Sequence, residues 1–263
     1  MSRTKNDIIF ETIVKILRKL KISSTGVQKT IYFGIADTKE EFNDVYRLRY
    51  QVYVKHGYID ASKYENNLEI DSNDTLGLCK YFIAIIDNKM IGCIRLIVSD
   101  PLPTETYFDY CEPSEIKSVP RNERCELGRF IIIPPNREKG EYLPRGLVML
   151  FLIDILSAYG LQNKLFGGYS FIKKSLEIKM DKMKMPIRRI ADFKEKYPTN
   201  GDLYRYFSQP DDVVVPVYFL TKEFYEFSQR HIHNSLMFKN EGENCLILRE
   251  NLYTKFLHSL KIL

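Results

Sequence analysis

The stretch CELGRF, Cys125 to Phe130, decides the fold because it places two opposite charges within an apolar strand. Alternate residues of a flat strand point to opposite faces, so Glu126 and Arg129, three apart, would face away from each other. One of the two charges could simply face water. Alternatively, a β-bulge at Leu127–Gly128 adds a residue and brings both charges to one face, and glycine favours such an irregularity. We therefore expect a bulged strand with both charges at one site.

The composition indicates an ordinary globular protein. The chain has 263 residues, of which 44% are hydrophobic and 28% charged, so it can form one large domain with a substantial core. It contains no apolar run of the roughly 20 residues needed to cross a bilayer, which favours the cytoplasm. Its five cysteines form no CxxC pair, and its HxH pair at residues 231–233 lacks a third ligand, so we expect no metal site.

The order of predicted elements indicates one mixed sheet with helices on its faces. Apolar residues recur at helical spacing from Ile9 to Leu20, which predicts a basic amphipathic helix. Thr38 and Glu41 form a capping box for the next helix, and a β-hairpin is predicted around Asn88–Lys89. Further helices are predicted from Pro144 to Ala158, with Gly160 as the stop signal, over Phe171–Met185, and over Leu246–Leu260.

Three carboxylates and three arginines lie in apolar surroundings. The carboxylates are Glu69, Asp71 and Asp74 in NLEIDSND, and the arginines are Arg49, Arg95 and Arg129. Closely spaced carboxylates repel one another unless cations compensate them, and an unpaired buried charge is costly. The six groups are therefore expected to converge, either as an ion network that only fixes the fold or as part of a site.

A basic segment lies in the second half of the chain. Residues 171–190 contain seven Lys or Arg residues and two acidic residues. This pattern is typical of a solvated helix face, and it also favours an acidic partner through long-range attraction. A net charge of +5 and the lack of a recognition motif argue against nucleic-acid binding.

Four motifs carry a resemblance to a known family. In order, YRLRYQVYVKHGY (46–58), LEIDSND (68–74), GCIRLI (92–97) and ELGRF (126–130) resemble motifs of the acyl-homoserine-lactone (autoinducer) synthases and the related N-acyl amino acid synthases. The resemblance extends over Lys29–Phe193. It implies a GNAT-like acyltransferase domain at residues 29–222, of the α/β (α+β) class, with a mixed central sheet, a splayed and bulged strand and helices on both faces. Helical extensions are expected at 1–28 and at 223–263, the latter packed on the same domain.

The resemblance also assigns roles to residues at matching positions. It implies Glu126 as the catalytic base, with Glu69 as a second candidate. It implies a substrate-binding set, an acyl- or pantetheine-binding set around the bulge, and half of a phosphate-binding turn. The substrate-binding set is Arg49, Tyr53, Tyr58, Asp71, Asp74, Arg95, Phe108 and Arg129; the acyl- or pantetheine-binding residues are Leu127, Gly128, Phe130, Ile131, Arg137 and Gly140.

In that family a fatty acyl group moves from the phosphopantetheine thioester of acyl carrier protein to an α-amine. The resemblance implies acyl-phosphopantetheine as donor, no tightly bound cofactor, and acyl carrier protein as an acidic partner for segment 171–190. Gly128 replaces the family's serine and Tyr58 stands near its tryptophan. These departures favour an amino acid acceptor over S-adenosylmethionine, the acceptor of lactone synthases. A non-catalytic lipid or membrane adaptor, contacting the inner membrane face through residues 5–21, is a further alternative.

Overall fold

A ten-stranded sheet forms the centre of the molecule, and a separate two-stranded sheet lies beside it. The computed structural model describes residues 15–24, 27–133 and 145–249. The strands are β1 (Lys15–Ser24), β2 (Val27–Ile35), β3 (Cys79–Ile86), β4 (Lys89–Ile97), β5 (Phe108–Asp109), β6 (Arg124–Ile132), β7 (Gly167–Lys173), β8 (Ile187–Arg189), β9 (Lys194–Glu195), β10 (Val214–Leu220), β11 (Phe238–Asn240) and β12 (Cys245–Leu248).

The strand order in the large sheet is β11-β12-β1-β2-β3-β4-β6-β7-β10-β8, with β5 pairing β9 separately. Neighbours run antiparallel except for two parallel pairs, β1 with β12 and β6 with β7. The predicted mixed sheet is therefore confirmed. The helices are α1 (Lys39–Lys55), α2 (Ser72–Thr75), α3 (Pro103–Tyr107), α4 (Ser114–Lys117), α5 (Arg145–Gln162), α6 (Lys174–Lys182), α7 (Tyr204–Phe207) and α8 (Thr221–Ser228).

The two long helices cover opposite faces of the sheet. Helix α5 is apolar nearly all round, and Phe151 stacks on Phe33 of β2 at 5.0 Å between ring centroids. On the other face, α1 packs Val45 and Leu48 in a second core with Ile83 of β3. Helices lie on both faces, as predicted. The three arginines and three carboxylates singled out in the sequence also lie on the face that α1 covers.

Two local predictions are confirmed by hydrogen bonds and backbone angles. The Thr38 side chain accepts from the Glu41 N–H at 3.2 Å, and Glu41 accepts in return from the Thr38 N–H at 3.0 Å. The β3–β4 hairpin forms, but its turn residues are Asp87 and Asn88, one position earlier than predicted. Both have positive φ, as the two-residue turn that matches the strand twist requires.

The predicted terminal helices are wrong where the structure describes them. Lys15–Ser24 is a strand that pairs with both β2 and β12, and Cys245–Leu248 is a strand as well. In β1, Leu20 and Ile22 are buried on alternate positions, so pairing within the sheet overrides the helical spacing. The remaining parts of both predicted helices lie outside the described residues, and the domain limits at 28 and 222 stay predictions.

Two predicted helix ends also differ from the structure. Helix α5 continues through Gly160 to Gln162. A Cβ at Gly160 would lie 2.8 Å from Cγ2 of Thr221, so this glycine allows close packing against α8 and is not a stop signal. The basic helix begins at Lys174 and not at Phe171, because the three preceding residues complete β7 against β10. Within the described segments, no helix has both the length and the apolar character needed to cross a membrane.

Candidate active site

Helix α1 contributes Arg49 and Tyr53 to the site. They lie one turn apart, so both face the sheet, where Arg49 is fully buried. Its Nη1 donates to Asp74 Oδ2 at 2.8 Å and to the hydroxyl of Tyr81, and its Nε donates to Glu69. The guanidinium therefore holds the loop that carries the carboxylates against the sheet.

Arg95 and Arg129 reach the same loop from β4 and β6. Arg95 Nη1 donates to Asp71 Oδ2 at 2.7 Å and to Asp74 Oδ1 at 3.1 Å. Arg129 Nη2 donates to Glu69 Oε1 at 2.8 Å and to Asp71 Oδ2 at 3.0 Å. The expected convergence of three arginines on three carboxylates is present. We call these six residues the ion network.

The bulge that the charges require lies later in β6 than predicted. Cys93 pairs with Ile131, and Arg95 pairs with Gly128, so Arg129 and Phe130 share the single partner Ile94. The predicted position at Leu127–Gly128 is wrong. Arg129 has a φ of 52°, which turns its side chain to the face that Gly128 occupies. The irregularity therefore brings Arg129 to the α1 face, where it contacts Tyr53 at 5.4 Å from the ring centroid.

The ion network compensates its charges internally. Burial opposes ionisation of Glu69, but Arg129 and Arg49 outweigh that effect and lower the pKa of Glu69 to about 2. The pKa of Asp71 is also lowered, because Arg129 and Arg95 outweigh its burial. A carboxylate with so low a pKa has little tendency to take a proton at neutral pH. Glu69 is thus a poor general base.

Glu126 has a different environment from the network carboxylates. It is 1% exposed, and its hydrogen-bond partner in the described structure is the backbone N–H of Thr104, 2.7 Å from Oε2. Burial raises the pKa of Glu126 to about 8, and the Thr104 N–H opposes this only in part. A carboxylate that titrates near neutrality can accept and release a proton.

The sheet opens next to Glu126. The parallel ladder between β6 and β7 consists of Arg124–Gly167, Cys125–Gly168 and Glu126–Tyr169, although both strands continue further. Beyond that point the strands diverge, and a cavity of about 290 Å³ occupies the space between them. The splayed strand that the sequence resemblance implied is present in β6.

The cavity wall contains both polar and apolar residues. Arg95, Glu126 and Arg129 contribute to its wall, together with Tyr53 and Tyr58 from the α1 side. Apolar residues from β6, β7, β10, helices α5, α6 and α8, and the segment after α6 line much of the rest, among them Leu127, Phe130, Ile132, Ile153, Ile172, Leu176, Met180, Met185, Val217, Phe219 and Phe224. The cavity can thus hold a hydrophobic chain with a reactive group next to Glu126.

Not every predicted site residue reaches the cavity. Gly128 and Ile131 line it, whereas Arg49 and Asp74 lie behind the wall and Asp71 is not among the lining residues. Phe108 is buried in an aromatic cluster with Phe171, Phe193 and Phe207. Arg137 and Gly140 lie outside the described residues. The HxH histidines have separate partners, the carbonyl of Phe227 and the carboxylate of Asp154.

Sequence reasoning missed three residues at the site. Thr104 holds Glu126, Lys173 of β7 is a buried lysine on the cavity wall, and Tyr206 of α7 covers the cavity next to Tyr58. The sequence did contain a signal for Lys173. Alternate residues of a strand share a face, so Lys173 is expected on the same face as Tyr169 and Phe171. Thr104 and Tyr206 lie in short helices whose positions depend on tertiary packing.

The fold is GNAT-like, with a splayed strand at the candidate site. The family model of the N-acyl amino acid synthase FeeM matches residues 44–162, a little under half of the chain, and this span contains all four motifs. The resemblance that those motifs indicated is confirmed. No curated protein sequence matches the chain.

Solved structures share the fold at low sequence identity. The structure of FeeM, an N-acyl amino acid synthase from uncultured soil microbes, superimposes with a TM-score of 0.50 at 14% identity and covers 74% of this chain and 93% of its own. The autoinducer synthase LasI gives a TM-score of 0.48 at 18% identity, covering 73% and 89% of the two chains. The CoA-dependent lactone synthase BjaI gives 0.49 at 14% identity, covering 82% and 89%.

Proposed function

We propose that the chain is an N-acyl amino acid synthase, which moves a fatty acyl group from the phosphopantetheine thioester of acyl carrier protein to the α-amine of an amino acid. The observation that carries the proposal is Glu126. No arginine among the described residues binds this buried carboxylate, its pKa is raised to about 8, and it lies where β6 and β7 diverge over an apolar cavity. The match to the FeeM family model over residues 44–162 supports the same reaction.

Each part of the site has a task in this reaction. The α-amine of a free amino acid titrates above neutral pH, so it is largely protonated there and must lose a proton before it attacks. Glu126 takes that proton, directly or through a water molecule. The amine nitrogen then bonds to the thioester carbonyl carbon, the C–S bond breaks, and the sulfur leaves as the thiol once protonated. The ion network holds Arg129 and the bulge in place around the reacting atoms.

The acyl chain occupies the apolar part of the cavity. Leu127, Phe130 and Ile172 from the two strands line the cavity, together with Met180 and Phe224 from the helices. Main-chain N–H groups on the side of β6 that faces the opening polarise the thioester carbonyl, since they have no ladder partner in β7 beyond Glu126.

The acidic carrier protein docks on α6 and the residues after it. Three cations of segment 171–190 are engaged within the protein. Arg188 binds Glu223 at 2.7 and 2.8 Å, Arg189 binds Glu177, and Lys173 is buried against backbone carbonyls. The described residues offer no ion-pair partner to Lys174, Lys179, Lys182 and Lys184, all of which are exposed. Lys179 also lies at the cavity wall, so the carrier's arm would enter beside this face.

The test is direct acyl transfer. The protein is incubated with acyl carrier protein loaded with a fatty acid, together with a mixture of amino acids or with S-adenosylmethionine, and the products are identified by mass spectrometry. N-acyl amino acids that disappear in Glu126→Gln support the proposal. An acyl lactone formed only with S-adenosylmethionine would replace it with a lactone synthase. Absence of product with every amine would favour the adaptor.

A further inference from the structure

Lys173, the last residue of β7, places a buried ammonium group on the wall of the cavity. The residue is 4% exposed. Its Nζ donates to the backbone carbonyls of Tyr206 and Asp212, the latter at 2.7 Å. It also lies 4.5 Å from the ring centroid of Tyr206 and 5.5 Å from that of Tyr58. Both tyrosines line the same cavity.

These partners are neutral, so the charge of Lys173 is not balanced by an ion pair. The nearby carboxylate of Asp212 is directed at Ser175 instead, accepting from its N–H at 2.9 Å and from its hydroxyl at 2.6 Å. An ammonium group has three N–H donors, and the two carbonyls account for two of them. A buried charge with only neutral partners is costly unless an anion approaches it.

The other buried cations of the cavity wall differ in this respect. Arg95 and Arg129 both bind carboxylates of the ion network, which balances three guanidinium groups with three acids. Among the described residues that line the cavity, Lys173 is therefore the buried cation with no carboxylate partner. An oxyanion entering the cavity would meet a positive charge that no carboxylate of the described residues binds directly.

Resting on the proposed function, we propose that Lys173 is an anion anchor whose ammonium binds an oxyanion of one of the substrates. Two substrate groups have this chemistry: the α-carboxylate of the amino acid and the phosphate of the phosphopantetheine arm. Because the ammonium binds the oxyanion of the substrate, a substrate analogue without that oxyanion should have a lower kcat/KM.

The experiment compares matched substrates within each enzyme variant. The acceptor pair is an amino acid and its α-carboxamide, and the donor pair is acyl-phosphopantetheine and acyl-pantetheine. The ratio of kcat/KM values is measured for each pair in the wild type, in Lys173→Met and in Lys173→Gln. The glutamine amide can still donate to the carbonyls of Tyr206 and Asp212, so it keeps local contacts without the charge. Lys222→Met, at an exposed lysine 3.8 Å from Glu226, is the matched control.

The wild type should prefer the charged member of one pair by about tenfold to a hundredfold, as expected for a hydrogen bond to a charged group. Both Lys173 variants should lose that preference, and Lys222→Met should keep it. Collapse of the acceptor ratio identifies the carboxylate, and collapse of the donor ratio identifies the phosphate. Because each ratio is taken within one variant, a reduced folded fraction cancels.

Ratios that are the same in the wild type and both Lys173 variants would overturn the anchor, even if overall activity fell. That result would leave the proposed function standing, because wild-type transfer to an amino acid is observed in the same experiment. A wild type that acylates no amino acid would instead overturn the proposed function and the anchor with it.

Discussion

Glu126 and Glu69 are both 1% exposed, yet their pKa values are shifted in opposite directions. Glu69 binds two guanidinium groups, whereas Glu126 binds one backbone N–H. The difference in partners assigns the two carboxylates different tasks. Glu69 remains ionised as part of the framework, and Glu126 remains able to exchange a proton near neutral pH.

Replacing Glu126 with glutamine tests the base directly. We expect Glu126→Gln to lower kcat by about 100- to 10,000-fold, the typical contribution of general base catalysis. Because only the deprotonated carboxylate accepts a proton, the wild-type rate should rise with pH through about 8. Initial rates of acyl transfer from pH 6 to 10 measure both effects.

The exposed carboxylate Glu243 provides the control, and Glu243→Gln should leave the rate and its pH dependence unchanged. A Glu126→Gln enzyme with wild-type kcat would show that another group takes the proton from the amine.

At the scale of elements, the ion network joins α1, the loop before α2, α2 itself, β4 and β6. Arg95 is its link to β4, and its side chain binds Asp71 and Asp74. Arg95→Met removes one cation and leaves the buried carboxylate of Asp74 and the partly buried one of Asp71 with fewer partners. We expect it to lower the free energy of unfolding by about 3–5 kcal/mol, measured by denaturant titration.

Arg121 is the matched surface arginine, since it binds Asp100 and Glu105 with a side chain that is 51% exposed. Arg121→Met should cost about 1 kcal/mol or less. Equal losses for the two variants would show that the network contributes no more than a surface cluster.

The junction of β6 and β7 depends on a close approach of two backbones. A Cβ at Gly168 would lie 1.7 Å from the carbonyl oxygen of Cys125, the residue opposite it, whereas a Cβ at Gly128 would meet no heavy atom within 4 Å. We expect Gly168→Ala to destabilise the protein by at least the roughly 1–3 kcal/mol typical of overpacked cores. Gly128→Ala should be tolerated, and thermal unfolding of the two variants distinguishes them.

Some elements of the site could be predicted from sequence and others could not. An arginine in an apolar strand, such as Arg95, must have a partner because isolated buried charge is costly, so convergence with the carboxylates was predictable. Strand parity also predicted one irregular residue in β6, which would bring Glu126 and Arg129 to one face. It could not fix the position of the bulge, because any residue able to adopt positive φ satisfies the same count, and Arg129 does so here.

The strand at Lys15–Ser24 was mispredicted for a different reason. Its apolar residues fit a helical stripe as well as a strand, and the outcome depends on β2 and β12, which supply partners on both sides. Such pairing joins residues more than 200 positions apart in sequence, as in Lys19 with Cys245. Local periodicity contains no information about these contacts.

At the scale of the whole molecule, the lysines around α6 that have no ion-pair partner among the described residues form a basic face near the cavity. We expect Lys182→Glu combined with Lys184→Glu to raise KM for an acyl carrier protein donor at least tenfold, since like charges would then meet. The same variant should use acyl-phosphopantetheine normally, because neither lysine lines the cavity. Steady-state kinetics with both donors measure the difference. An unchanged KM for the carrier protein would place its docking surface elsewhere.

The stability of the whole chain should fall on both sides of an intermediate pH, for two separate reasons. Glu69 has a folded-state pKa of about 2 against an ordinary value of 4.5, so its stabilising contribution is present above pH 4.5 and is lost as pH falls toward 2. Glu126 has a raised pKa of about 8. Its contribution is present below pH 4.5 and is lost as pH rises through 8, because ionisation of a buried carboxylate favours the unfolded chain.

Glu126→Gln should therefore change only the alkaline side of the profile. Its melting temperature relative to the wild type should increase from pH 5 to pH 9, by an amount corresponding to a few kcal/mol on the scale of about 1.4 kcal/mol per pKa unit. The acid-side decline should remain, since Glu69 and Asp71 are untouched. Scanning calorimetry at a series of pH values measures the acid and alkaline sides of the profile. A difference in melting temperature that stays constant with pH would mean that Glu126 has an ordinary pKa.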